Sequence, residues 1–91
     1  MEMKQLYSGN DYKVMEVTLN DGESMPLHKA SADAFIIVKK GSGKIIFSDN
    51  EVNLQQGSTL LIAANKEHRL QVNEAFNACV ILGHDAAIKF L

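Results

Sequence analysis

At 91 residues the chain is long enough for one domain, residues 1–91, and too short for two. Its 46% hydrophobic and 22% charged residues are far from the low-hydrophobicity, high-charge signature of a disordered chain, and a formal net charge of −2, with basic residues scattered except at Lys39-Lys40, leaves no track for nucleic acid. The single cysteine, Cys79, excludes an internal disulfide; no run resembles a signal peptide or approaches the ~18 apolar residues of a membrane span, so a cytoplasmic protein without a membrane partner is expected.

In chain order, the first clear strand is carried by Met15, Val17 and Leu19 alternating with Glu16 and Thr18, and Asn20-Asp21-Gly22 ends it as a turn. After Pro26 come Leu27-His28-Lys29-Ala30 and then Ala34-Phe35-Ile36-Ile37-Val38, whose apolar residues point both ways and need cover on both faces. Gly41-Ser42-Gly43 reads as a hairpin turn with Lys44-Ile45-Ile46-Phe47 returning, followed by a turn at Ser48-Asp49-Asn50. Val52 and Leu54 alternate with Asn53 and Gln55, Gly57 punctuates, and Thr59-Leu60-Leu61-Ile62 is again apolar on both faces.

Beyond the loop Ala63–Glu67, His68, Leu70 and Val72 share one face, with Arg69 and Gln71 on the other. Asn73-Glu74 reads as a turn into the last clear strand, Phe76–Leu82. A three-residue loop there pairs Val72 with Phe76, sets His68 opposite Val80 and turns Cys79 the other way, as a packed thiol. The tail Gly83–Leu91 reads either as a strand crossing to a partner or as one turn of helix. No window sustains helical periodicity, and about seven or eight short strands predict an all-β sandwich or barrel.

Two spacings carry more information. Gly22, five residues, His28, one residue, Ala30, three residues, Ala34, six residues and Gly41 form the first; Gly57, five residues, Ala63, one residue, Asn65, two residues and His68 form the second. Together they resemble the two motifs of the cupins. The first of those motifs runs glycine, His-x-His, glutamate, glycine; the second runs glycine, proline, glycine, histidine. The resemblance covers roughly Gly22 to Val72 and implies a cupin-type double-stranded β-helix, or jelly-roll, barrel. In metal-binding cupins three histidines and the glutamate converge on iron, manganese, nickel, zinc or copper. Here Ala30 stands at the second histidine and Ala34 at the glutamate, Ala63 and Asn65 replace the proline and glycine, and Val72 replaces a final asparagine.

Two neutral imidazoles supply neither the charge nor the geometry that retains a transition metal. No cofactor is therefore expected; a divalent transition metal, if bound, would sit on His28 and His68. Glu23, Asp33, Cys79 and His84 are the other donors in the chain's reach, and Asp33 is one residue out of phase. The expected pocket is small and mostly apolar, lined by His28, Ala30, Ala34, Ile36, His68 and Leu70, with the histidines as hydrogen-bonding anchors and a seat for an anionic group. Ile36, Leu70 or Val80 filling it would instead indicate a purely structural module. The leading expectation is a metal-free, non-catalytic module that binds a small molecule or acts as a dimeric accessory or sensor domain. The alternative is a dioxygenase or isomerase with a two-histidine metal site. The doubly apolar strands predict a homodimer.

Overall fold

The computed structural model describes residues 1–91 and contains eight strands and no helix: β1 (Glu2–Ser8), β2 (Tyr12–Leu19), β3 (Ser24–Ala30), β4 (Ala34–Ile46), β5 (Glu51–Gln55), β6 (Thr59–Ile62), β7 (His68–Gly83) and β8 (Ile88–Phe90). All pairings are antiparallel. The sheet curls on itself into two facing halves. One half runs β1, β2, the second part of β7, the first part of β4, and β6. The other runs β8, β3, the first part of β7, the second part of β4, and β5. This is the cupin barrel that the motif spacing predicts.

β4 and β7 belong to both halves, which corrects two turns of the sequence reading. Gly41-Ser42-Gly43 does not reverse the chain, and neither does Asn73-Glu74; β4 and β7 pair from Ala34↔Leu82 to Ile46↔Arg69, and the register shifts fall between Val38 and Gly43. Glycine and small polar residues mark a bend shared by two strands as readily as a hairpin. Gly41 sits at this bend with φ 84°, and a Cβ there would collide with the Ala75 carbonyl. Because β7 is continuous, His68 pairs with His28 rather than Val80. Cys79 does lie on the face away from His68, but it is half-buried opposite Glu16 and Ile37 rather than packed in the core.

Both ends of the chain add strands that the sequence reading lacked. β1 has no clean alternation because its register with β2 slips between Gln5 and Tyr7. The tail neither crosses to a partner nor turns as a helix: Ile88–Phe90 folds back on β3, with His28 opposite Phe90. Bonds from Ser31 N–H to Ala87 O and from Leu91 N–H to Leu27 O hold it there.

The core lies between the halves, with Leu19, Val38, Ile45 and Val72 almost wholly enclosed. Each such side chain contributes roughly 1.5–3 kcal/mol on burial. Along β4, Ala34, Ile36 and Val38 point in, while Phe35 and Ile37 point out.

Candidate functional site

His28 and His68 face each other across β3 and β7, buried, with ring centroids 4.2 Å apart and an interplanar angle of 61°. Local backbone sets each ring. β3 bulges between Met25 and His28, a place that tolerates Pro26 and its missing N–H, and the Pro26 carbonyl accepts a 2.7 Å bond from His28 Nδ1. The Lys66 carbonyl accepts the same kind of bond, also 2.7 Å, from His68 Nδ1. A carbonyl cannot donate, so both Nδ1 atoms carry the proton and both Nε2 atoms present lone pairs.

The loop that delivers His68 turns at Asn65, with φ 64°, and Asn65 N–H donates to Ala30 O at 2.7 Å. The left-handed conformation accounts for the glycine of the motif at this position, and asparagine is among the few residues that tolerate it.

Burial pushes both imidazoles below their ordinary value of 6.5, partly opposed by the carbonyl bonds, and for His68 the charge of His28 adds to the shift. The pair is neutral at physiological pH. At neutral pH the pair offers acceptors and no spare donors, which weighs against the expected seat for an anionic group.

Beside the pair is a cavity of about 60 Å³ in which 16 of 18 lining residues are hydrophobic, so the imidazoles are its only polar side chains. His28, Ala30, Ala34, Ile36, His68 and Leu70 all line it. Ile36, Leu70 and Val80 narrow the interior without closing it. Met3, Met15 and Met25 also line it and were not anticipated. For Met15, alternation with Val17 was the available signal; Met3 lies on the unread β1, and Met25 was hidden by the bulge at Pro26.

The other donors point elsewhere. Asp33 accepts from Ala64 N–H at 2.9 Å, Glu23 accepts from Asn20 N–H at 2.6 Å, and His84 Nδ1 lies 3.4 Å from Ser8 Oγ. Exposed Glu67 lies outside the cavity lining, and Cys79 is on the outer face. No three His, Cys, Asp or Glu side chains converge anywhere in the chain. The residues present therefore do not fit the four-ligand metal centre of metal-binding cupins.

The two histidines are the inner members of a row of four rings. Phe90 lies 5.4 Å from His28, Phe47 lies 6.0 Å from His68, and the Lys66 ammonium stands 4.2 Å above the Phe47 ring.

Solved structures with the same fold span different activities. A cupin superfamily protein from Desulfitobacterium hafniense is 21% identical, with 92% of this chain and 77% of that one covered at a TM-score of 0.84. A polyketide cyclase from Streptomyces resistomycificus is 14% identical, with 98% and 69% covered at 0.85. A salicylate 1,2-dioxygenase from Pseudaminobacter salicylatoxidans is 13% identical, with 88% of this chain but 25% of that one covered at 0.79. At these identities the likeness carries the fold alone. No functionally curated protein matches the sequence. The cupin domain family matches residues 15–82, well over half of the chain, and this protein belongs to that family.

Proposed function

We propose that the protein is a non-catalytic, metal-free binding module that takes one small molecule into its barrel. The observation that carries this reading is the pair of imidazoles in an otherwise apolar cavity, each with Nδ1 committed to a carbonyl and Nε2 without a protein partner. Every fully enclosed polar side-chain atom in the chain has a partner, so the two Nε2 atoms retain open space beside them. An interior kept open next to two acceptors suits a ligand better than a structural plug.

The donor set supports the alternative, a metal-dependent dioxygenase or isomerase, less well, since no carboxylate accompanies the histidines. Elemental analysis of untagged protein is expected to find far less than one transition metal per chain, unchanged in a His28→Ala/His68→Ala variant. Stoichiometric metal that disappears in the variant would move the assignment to the enzyme. Xenon, a probe of apolar cavities, is expected to shift the Met3, Met15 and Met25 methyl resonances; unmoved methyls would leave a structural module. The cytoplasmic placement belongs to this proposal and rests on the unpaired thiol of Cys79. No helix is long and apolar enough to cross a membrane.

The proposed partner is a second copy of the chain. Tyr7, Val14, Ile81, Phe35 and Leu61 stand in one row across the outer face of a sheet half, with Leu61 57% and Phe35 38% exposed. Lys39 pairs with Glu16 at 3.1 Å beside this row, giving the apolar centre a polar rim. A two-fold axis through the row would bury it against itself, as isologous dimers do. Phe35→Lys/Leu61→Lys is expected to sediment as a monomer at concentrations where the native chain is a dimer. A native chain that stays monomeric at about 100 μM would end this proposal.

A further inference from the structure

Resting on the reading of the barrel as a binding site, we infer that the cavity selects its ligand by hydrogen-bond donation: it takes a compact, uncharged molecule bearing O–H or N–H donors, an alcohol above all, and rejects ketones and carboxylates of the same shape.

The cavity's polar inventory decides this. Its lining outside the histidines is aliphatic, thioether or phenyl, with Ala30, Ala34, Val80 and Leu82 among its members, and none of these side chains donates a hydrogen bond. The histidines have spent their only neutral-state protons on Pro26 O and Lys66 O. What faces a ligand is therefore two lone pairs. An alcohol gives its proton to one of them and satisfies a group that otherwise faces apolar walls. A ketone of the same shape meets lone pair with lone pair and gives up its own water as well. A site whose buried polar groups are left unpaired by the wrong ligand discriminates far more sharply than an apolar wall can.

A carboxylate is opposed further, because it would bring its charge into an apolar space without a cation. Converting an imidazole into a donor meets the burial that already disfavours its charge, and the second ring at 4.2 Å makes a doubly charged pair worse still. Lys66 cannot act as the missing cation, since its ammonium lies over Phe47, outside the cavity lining.

Size narrows the class. About 60 Å³ is well below the roughly 150 Å³ that admits benzene, and one water needs about 10–15 Å³ of such space, so the site suits a molecule of about four non-hydrogen atoms.

The experiment uses the native chain with carbon-13 on the methionine methyls, since Met3, Met15 and Met25 line the cavity. 2-Propanol, acetone and xenon are titrated in turn. Saturable methyl shifts are expected with 2-propanol at a Kd at least about tenfold below that for acetone, with xenon also entering. His28→Leu/His68→Leu should still admit xenon and should lose the difference between 2-propanol and acetone. Equal affinity of the native chain for 2-propanol and acetone would overturn donor selection while leaving the binding reading intact. Methyls that respond to none of the three would overturn both. The comparison of 2-propanol with acetone needs no variant, so it stands whether or not the double variant folds.

Discussion

Gly41→Ala is expected to cost about 3–5 kcal/mol, a large share of the roughly 5–15 kcal/mol that holds a domain together. Two effects combine at this residue. Its φ of 84° lies in the left-handed region, which costs an L side chain roughly 1–2 kcal/mol. Its Cβ would also overlap the Ala75 carbonyl of β7, which is backbone and cannot rotate away. Gly22 isolates the first effect, since φ is 74° there and nothing lies within 4 Å of the added carbon. Gly22→Ala should therefore lose only about 1–2 kcal/mol. Urea denaturation of the two variants makes the comparison. Equal losses would mean that β4 and β7 do not approach at the bend as described.

Acidification is expected to destabilise the fold through the histidine pair. Both imidazoles have folded-state values below 6.5, so around and below that pH the unfolded chain takes up protons that the folded barrel resists. Their contribution is fully present above 6.5 and is lost as the pH falls through 6.5 toward the lowered folded values. Each histidine can give a slope of up to about 1.4 kcal/mol per pH unit, and the pair about twice that. No carboxylate or lysine lines the cavity to offset the charge.

The carboxyls act in a lower window. The Lys39 bond holds Glu16, and the Asn20 amide holds Glu23, below 4.5, so their contributions fade only as the pH falls through that region. Denaturation midpoints between about pH 7 and pH 5 should therefore fall for the native chain and hardly move for His28→Leu/His68→Leu. Equal slopes in the two proteins would show that the pair titrates as if exposed.

The sites at which the barrel needs an unusual backbone were legible in the sequence. Gly22, Gly41 and Gly57 stand at motif glycines and all have positive φ, and Asn65, at the fourth such position, shares it. Each requirement is local to one residue, so it leaves a mark at one position. The inward alternation of Met15 and Val17, and of His68, Leu70 and Val72, was readable for the same reason.

Which glycines reverse the chain and which only bend it was not readable. Gly41 and Gly43 have the composition of a hairpin, and only the long register between β4 and β7 shows that the strands continue. β1 and β8 exist because β2 and β3 offer them unpaired edges, something that residues 2–8 and 88–90 cannot show alone.

The sequence by itself determined the β character, the cupin frame, alanine at the motif positions 30 and 34, and histidine at 28 and 68. Only the tertiary structure decided that these histidines meet, that their Nδ1 protons are spent on Pro26 and Lys66, and that a small apolar cavity stays open beside them. The physical reason is that φ preferences and alternation are properties of neighbouring residues, whereas proton placement and desolvation depend on groups brought together from distant parts of the chain.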